Sequence, residues 1–170
     1  LALKKITEGN FLINMPSHTP IFHWYQILNG KNKVNVMNNA AYKFVCGTNL
    51  LYTNMLRPWP NWNINIFNAK PLKNSILLGV GCGVNSKSVN WYTKLLYKMV
   101  LSKDIEHSVR DNKAKEMLEN MGFKAINTGC ATLWKLSEEL CKEIPTKKSR
   151  DVVFTLTDYA KDEVRDQKLI

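Results

Sequence analysis

The sequence predicts an α/β domain built around a mainly parallel sheet. Short apolar runs of strand length alternate with segments in which apolar residues recur at helical spacing, the pattern of strands joined by crossover helices. With 170 residues, of which 45 % are hydrophobic, the chain can bury the core of one such domain. Charged residues make up 22 % of the chain and no stretch has the length and apolarity of a membrane span, so an integral membrane protein is not expected.

Three strands are predicted in the first half of the chain, where apolar runs are bounded by polar or turn residues. They are residues 10–15 (NFLINM), 42–47 (YKFVCG) and 75–79 (SILLG). Closely spaced glycines at positions 79, 81 and 83 predict a tight turn after the third strand, because glycine tolerates backbone conformations that other residues avoid.

A long connection, residues 52–74, separates the second and third strands and is rich in Asn, Pro and Trp. An irregular connection of this length within a domain is either functional or partly helical. Trp59 and Trp62 lie in it, and we interpret them as buried anchors, with sugar-stacking surfaces as the alternative.

A helix is predicted over residues 88–101, with Ser88 as its cap. The residues that fall at the spacing of one face are Tyr92, Leu95, Leu96 and Met99.

A strand over residues 105–109 follows and places Arg110 at its carboxyl end, where Asp111 can accept the free amides of the next helix. That helix is expected over residues 112–121, with Gly122 as its left-handed stop. Its buried stripe consists of Ala114, Met117, Leu118 and Met121.

The alternation continues in the last third of the chain. A strand over residues 124–128 leads through a turn to Thr132 and into a helix that Pro145 ends. After a basic turn at residues 147–150, residues 152–156 (VVFTL) form a further predicted strand.

These elements are expected to belong to one domain. We assign residues 1–159 to that domain and residues 160–170 to a linker or the start of a helix that leads to a second domain.

The four cysteines lack the close spacing of a zinc or redox motif. They are Cys46, Cys82, Cys130 and Cys141. Three of them lie in apolar, strand-like stretches, so reduced thiols packed as small hydrophobes are expected rather than a metal site or a disulfide. The default compartment is therefore the cytoplasm, and a peripheral position at the inner membrane face stays open.

The formal net charge of +10 is compatible with nucleic acid, an anionic membrane surface or an anionic substrate as a partner. The lysines are scattered along the sequence, and no nucleic-acid-binding motif is present. We therefore interpret most of them as a solvated surface and do not expect nucleic acid as a partner. Whether the chain forms a homo-oligomer is left open.

Ligands of open α/β sheets bind beyond the carboxyl ends of the strands, because helix N-termini and loop amides converge there. The candidates at these ends are Gly47, Thr48 and Asn49, then Gly81, Cys82 and Gly83, then Arg110, then Thr128 to Thr132, and finally Thr157 to Tyr159. Arg110 is the most specific of them, because a guanidinium fits a carboxylate or a phosphate in bidentate fashion. An ion pair with Asp111 or another carboxylate is the structural alternative.

Other chemistry is not indicated. The clustered glycines resemble a dinucleotide-binding fingerprint, but its third glycine would fall on Val84, so a nicotinamide cofactor is not expected. His107 lies within a strand and should pack, while His18 and His23 flank Pro20 in a turn-rich stretch. No cluster has metal-ligand spacing and no nucleophile elbow is present, so the sequence predicts neither a metal nor a cofactor.

Five short motifs follow one another along the chain. They are CGTNLL at 46–51, LLGVGCG at 77–83, SVRDNKAKEMLENMG at 108–122, NTGCATLW at 127–134 and VVFTLTDY at 152–159. In their order and spacing they resemble the polysaccharide pyruvyl transferase family, and the likeness spans residues 10–159.

The resemblance implies two Rossmann-like domains facing a cleft, as in GT-B glycosyltransferases. This chain would be the N-terminal half, and its fold would be a three-layer sandwich. It implies transfer of the enolpyruvyl carbons of phosphoenolpyruvate to a sugar as a ketal during synthesis of cell-surface polysaccharides, so phosphoenolpyruvate and a glycan acceptor are the implied partners. Arg110 would hold the anionic groups of the donor. Gly47, Thr48, Gly81 and Gly83 would line the cleft with their backbone amides, and Thr128, Gly129 and Thr132 would belong to the same wall.

Two parts of the family pattern are expected outside this sequence. The resemblance implies that the first strand of the domain, with its Gly-Asp loop, precedes Leu1, and that an Arg-Leu-His stretch that supplies the general acid belongs to the second domain. We therefore expect no pyruvyl transfer by this chain alone. The alternatives are half of a nucleotide-sugar glycosyltransferase, or a non-enzymatic basic module that binds anionic glycan or nucleic acid.

Overall fold

Six short strands, all in parallel pairs, are present in the computed structural model, which describes residues 9–29, 32–56, 58, 60–83, 88–148, 150, 151 and 167. Strand β1 is Lys43–Cys46, β2 is Asn49–Leu51, β3 is Ser75–Leu78, β4 is Gly81–Cys82, β5 is His107–Val109 and β6 is Ala125–Asn127. The pairs are β1 with β3, β2 with β4, and β5 with β6. The prediction of an α/β fold with parallel strands is confirmed.

Backbone hydrogen bonds connect the pairs side by side. The amide of Gly79 donates to the Ser108 carbonyl at 3.0 Å, and the amide of Arg110 donates to the Val80 carbonyl at 3.1 Å. Strand β3 therefore lies between β1 and β5, and β6 lies on the far side of β5. Because these strands are parallel, their carboxyl ends meet at one edge.

Five α-helices and two 3-10 helices accompany these strands in the described part of the chain. Helix α1 is Trp24–Leu28, α2 is Asn32–Asn38, α3 is Trp91–Val100, α4 is Asn112–Glu119 and α5 is Glu138–Lys142, with 3-10 turns at Lys70–Leu72 and Leu133–Lys135. The chain divides into two compact units, residues 1–135 and 136–170, and α5 belongs to the second.

Helix α4 matches its prediction closely. The carboxylate of Asp111 accepts the amide of Ala114 at 2.8 Å, so Asp111 is the N-cap, and Gly122 has a positive φ of 88°. The buried stripe is the predicted one, Ala114, Met117, Leu118 and Met121.

Helix α3 exists but differs from its prediction in cap and orientation. The cap is Asn90, whose side chain accepts the amide of Thr93 at 2.7 Å, and not Ser88. The buried face consists of Thr93, Leu96, Tyr97 and Val100. Leu95 and Met99 instead point to solvent, with exposures of 47 % and 38 %. Apolar residues surround this helix on several sides, so spacing alone did not select the inward face.

The predicted strand at residues 10–15 is wrong. That segment is irregular and makes no ladder with the described strands, and Phe11 and Ile13 are exposed. An apolar run becomes a strand only where a neighbouring edge accepts its backbone hydrogen bonds. Just beyond the segment, the Ser17 carbonyl accepts the amide of Asn63 instead, at 2.7 Å.

The described residues of the long connection, 52–56, 58 and 60–74, are irregular with one 3-10 turn, and buried side chains hold them in place. Trp62 is 2 % exposed and stacks on Tyr97, their ring centroids 6.1 Å apart. The Tyr97 hydroxyl also accepts a hydrogen bond from the Tyr52 amide at 3.0 Å and donates one to the Tyr52 carbonyl at 3.2 Å. The expectation that Trp62 anchors the loop is confirmed, whereas Trp59 lies outside the described residues.

The predicted helix up to Ile144 is instead two short pieces, the 3-10 turn at Leu133–Lys135 and α5. Ser137 interrupts the run because its hydroxyl accepts the amide of Leu140 at 3.2 Å and starts a new helix. The predicted strand at 152–156 and the candidates Thr157 to Tyr159 lie outside the described residues. Within the described part of the chain, no helix has the length and apolarity needed to cross a membrane.

Candidate functional site

Arg110 stands at the carboxyl end of β5, as predicted, and its side chain crosses toward the neighbouring strand end. Its guanidinium donates a hydrogen bond to the side-chain oxygen of Asn49, the first residue of β2. The side chain is half-buried. A cation that is partly withdrawn from water and bonded to a neutral amide keeps most of its charge available for a ligand.

Asp111 fixes the backbone beside Arg110 from two directions. One carboxylate oxygen caps α4 through Ala114, and the other accepts the amide of Cys82 in β4 at 3.1 Å. One side chain therefore ties the start of α4 to the neighbouring strand. Because both oxygens are engaged, the position of the strand end that carries Arg110 is well determined.

Gly81 leaves the space into which the Arg110 side chain fits. A β-carbon at position 81 would lie 2.8 Å from a carboxylate oxygen of Asp111 and 2.9 Å from the Thr48 carbonyl, and would overlap Nε of Arg110. Any residue larger than glycine therefore displaces the guanidinium or the strand. The glycine-rich stretch is needed here for close approach.

The amides of the glycines in this stretch already have partners. Gly81 donates to the Thr48 carbonyl at 2.5 Å and Gly83 donates to the Leu51 carbonyl at 2.8 Å, as part of the β2–β4 pairing. Gly47 lies between β1 and β2, with Thr48 next to it. The expectation that Gly81 and Gly83 offer backbone amides to a ligand is therefore wrong, because both amides are used in strand pairing. The two glycines instead shape the edge of the sheet beside Arg110 by leaving room where a side chain would lie.

No carboxylate in the described part of the chain forms an ion pair with Arg110. The ion pairs there join Lys115 to Glu119 at 3.8 Å and Lys142 to Glu138 at 2.9 Å. The alternative interpretation, in which Asp111 neutralises Arg110, is not observed, because Asp111 accepts backbone amides instead. The edge of the sheet thus presents the Arg110 guanidinium without an ion-pair partner among the described carboxylates.

A family model described as Polysaccharide pyruvyl transferase matches residues 3–169 of the chain. The chain belongs to the polysaccharide pyruvyl transferase family. This confirms the resemblance in the sequence motifs. Comparisons with curated proteins and with solved structures give no significant match.

In this pyruvyl transferase family member, the turn after β6 closes over the same edge. A β-carbon on Gly79 would lie 3.0 Å from that of Ala131, so the turn passes directly above the end of β3. The Thr128 and Ser108 hydroxyls lie 2.6 Å apart, and the Trp134 indole donates to the Thr128 carbonyl at 3.1 Å. Gly129 has a φ of 70°, which makes the sharp bend possible. Thr132 lies at the far end of this turn.

The sequence pattern gave no indication that this turn brings the Cys130 thiol close to the charge of Arg110. The pKa of Cys130 is lowered, first by hydrogen bonding from the Thr132 hydroxyl, 3.0 Å from the sulfur, and then by the Thr132 backbone and the nearby Arg110 charge. The sequence did place Cys130 in the turn after a predicted strand, between the candidates Gly129 and Thr132.

The other three cysteines, Cys46, Cys82 and Cys141, form no disulfide and lie outside the turn that follows β6. Cys82 packs against the core, with its sulfur 4.0 Å from that of Met117, as expected of a small hydrophobe. Cys46 and Cys141 are exposed, which corrects the expectation that strand-like surroundings would bury them. No group of three potential metal ligands occurs among the described residues.

His107 packs, as predicted. It is fully buried, its ring lies 5.7 Å from that of Phe123, and both ring nitrogens are bonded. Nδ1 accepts the Leu77 amide at 3.2 Å and Nε2 donates to the Ser102 carbonyl at 2.9 Å. This arrangement fits only the neutral ring, and burial lowers the pKa of His107. His18 and His23 are exposed.

Proposed function

We propose that the protein takes part in transferring the pyruvyl group of phosphoenolpyruvate to a sugar as a ketal, during synthesis of cell-surface polysaccharides. Membership of the family supports the reaction class. The observation that carries the donor assignment is the Arg110 guanidinium, held at the carboxyl ends of parallel strands by Asn49 without a described carboxylate partner.

The chemistry of the donor matches such a cation. Phosphoenolpyruvate carries a carboxylate beside a phosphate, and a guanidinium can hold either group through two parallel hydrogen bonds. In the reaction, the methylene carbon takes up a proton, the carbon–oxygen bond to phosphate breaks, and two sugar hydroxyls add to the same carbon as they lose their protons. One proton replaces the one consumed and the other leaves with the phosphate. The cationic intermediate requires a site with fixed charges and a general acid.

The residues around Arg110 are proposed to form the wall of the donor site. Gly47, Thr48, Gly81 and Gly83 would bound it on one side, and Thr128, Gly129 and Thr132 on the other. Asn49 would orient the guanidinium, since it is bonded to it directly. We further propose that this Rossmann-like, three-layer half faces a second domain in a GT-B-like arrangement, and that the reaction takes place in the cytoplasm, where phosphoenolpyruvate is made.

Ligand-induced thermal shifts test the donor assignment, because a ligand that binds only the folded state raises its melting temperature. We expect phosphoenolpyruvate to stabilise the chain and nucleoside diphosphates not to. Replacing Arg110 with Gln should weaken donor binding about tenfold to a hundredfold, the size expected for a lost charge-assisted contact. Lys124→Gln removes the same charge from an exposed position before β6 and should leave the shift unchanged.

Two results would overturn the assignment. Stabilisation by nucleoside diphosphates alone would favour a nucleotide-sugar glycosyltransferase. Affinity for anionic polymers that falls steeply with salt and is unchanged by Arg110→Gln would favour a non-enzymatic basic module. Separately, we propose that this chain binds the donor without forming the ketal, because the resemblance places the general acid in an Arg-Leu-His stretch that this sequence lacks. Ketal formed by the chain alone would refute that part.

A further inference from the structure

The positive charge of this chain is concentrated in one continuous segment. Residues 9–103 contain ten Lys or Arg and no Asp or Glu, whereas the rest of the chain contains fourteen of each sign. The net charge of +10 therefore arises entirely from residues 9–103. A stretch of this length without a carboxylate favours contact with an anionic surface.

Helix α3 lies in this segment and shows an apolar face to solvent. Trp91 is 73 % exposed, Leu95 47 % and Met99 38 %, although the opposite face of the helix is buried. Successive steps of four residues keep these three side chains on one side. Lys94 and Lys98, both exposed, lie on that same outward side. The lysines look scattered in the sequence, but the helix brings these two together with apolar side chains.

A neighbouring turn extends this surface. The amide of Ile66 contacts the Tyr92 hydroxyl at 3.4 Å, and the Tyr92 ring packs edge-on against Trp91 at 6.0 Å. Phe67, the next residue, is 70 % exposed. The 3-10 turn that begins at the exposed Lys70 packs on α3. The surface formed by Phe67, Trp91, Leu95 and Met99 with Lys70, Lys94 and Lys98 is called the α3 surface below.

We propose that the α3 surface binds an anionic phospholipid membrane. Trp, Leu, Met and Phe side chains can enter the boundary between headgroups and acyl chains, while lysine stems lie along the apolar layer and their ammonium groups meet lipid phosphates. A polyanion such as nucleic acid or an acidic glycan would satisfy the lysines but leave Leu95 and Met99 without an apolar environment. The membrane is therefore the partner that matches both chemical features.

The α3 surface adjoins the edge of the sheet that carries Arg110. The amide of Asn90, the cap of α3, donates to the Thr53 carbonyl at 3.0 Å, and the amide of Met55 donates to the Thr93 hydroxyl at 2.8 Å. Thr53 and Met55 follow the carboxyl end of β2, so the Trp91 end of the helix lies at that edge. Membrane binding through this face would bring the edge close to lipid-attached molecules. The proposal itself does not depend on the transfer reaction.

Co-sedimentation with vesicles tests the proposal. The chain should bind vesicles of equal parts phosphatidylcholine and phosphatidylglycerol, bind phosphatidylcholine alone much more weakly, and lose binding as salt increases. Lys94→Gln with Lys98→Gln should weaken partitioning into the vesicles roughly thirtyfold, because two lysine charges that contact anionic headgroups are lost. Leu95→Ser should weaken it about tenfold or more, because a buried leucine contributes strongly to insertion.

Matched controls separate a defined surface from general charge. Lys113→Gln with Lys124→Gln removes the same charge from exposed positions outside residues 9–103, and Ile126→Ser alters a side chain as exposed, at 46 %, as Leu95. Both controls should retain near-normal partitioning. Equal losses in test and control variants, unaltered partitioning of the test variants, or binding to heparin without binding to anionic vesicles would overturn the proposal. Circular dichroism of each variant verifies folding.

Discussion

At the scale of single residues, the contact between Gly81 and Arg110 determines what the sheet edge can present. The missing side chain at position 81 lets the guanidinium lie against the backbone of β4 and reach Asn49. Arg110 is thus oriented by the space at Gly81, which has no β-carbon, and by its hydrogen bond to the neutral amide of Asn49. Neither contact changes its charge, so the arrangement orients the cation without neutralising it.

Gly81→Ala should displace Arg110 and weaken phosphoenolpyruvate binding at least about tenfold, with a loss of stability of about 1–3 kcal/mol from overpacking. The added carbon would overlap Arg110 and crowd Asp111 and Thr48. Isothermal titration and urea denaturation measure the two effects. The control is Gly122→Ala, which strains a backbone of positive φ with no atom within 4 Å. That control should lose about 1 kcal/mol of stability but bind the donor normally. If Gly81→Ala bound phosphoenolpyruvate as tightly as the wild-type chain, Gly81 would not be needed to position Arg110.

At the scale of elements, Asp111 connects a helix to a strand that is distant in the sequence. Its two oxygens bond Ala114 within α4 and Cys82 within β4. The cap could be predicted from the sequence because it involves residues three apart. The bond to Cys82 could not, because the two residues meet only when β4 and β5 lie side by side.

Substitutions at Asp111 separate these two bonds. Asp111→Asn keeps an oxygen for the cap but offers an NH₂ group to the Cys82 amide, so we expect a loss of about 1 kcal/mol. Asp111→Ala removes both acceptors and should lose about 2–3 kcal/mol. Urea denaturation gives both values. Ser137→Ala, which removes the cap of the short exposed helix α5, should lose less stability than Asp111→Ala. Identical stability of the Asp111→Asn and wild-type chains would show that the bond to Cys82 contributes nothing.

At the scale of the whole molecule, His107 couples neighbouring parts of the core. Its ring joins β5 to β3 through Leu77 and to the segment after α3 through Ser102, and it packs on Phe123. Protonation would put a second N–H opposite the Leu77 amide, so the folded chain disfavours the charged ring. Its lowered pKa, caused mainly by burial, therefore affects the stability of the entire fold.

Unfolding free energy should fall as the pH drops below the ordinary histidine value of 6.5. Below that value the unfolded chain binds a proton at position 107 that the folded chain does not, so stability present at higher pH is lost, by up to about 1.4 kcal/mol per pH unit. Urea denaturation at a series of pH values across this range measures the slope. His107→Gln should be less stable at pH above this range yet show a shallower slope, whereas His18→Gln at an exposed position should keep the wild-type slope. An unchanged slope in His107→Gln would exclude His107 as its source.

The sequence by itself determined the features that depend on residues close together in the chain. The helical period and the Asp111 cap fixed α4, short apolar runs marked β1, β3, β5 and β6, and the end of β5 gave the position of Arg110. The order and spacing of the motifs also indicated the polysaccharide pyruvyl transferase family, and the family model confirmed it. Each of these follows from spacing or capping over a few residues.

Only the tertiary structure decided which apolar segments pair and which sides of helices are buried. It left residues 10–15 without a strand partner, turned Leu95 and Met99 outward, and brought Asn49 to Arg110 across 61 positions of sequence. Pairing and burial depend on contacts between residues far apart in the chain, and no local pattern specifies the partner. For that reason the position of the cation was predictable, while the groups that orient it were not.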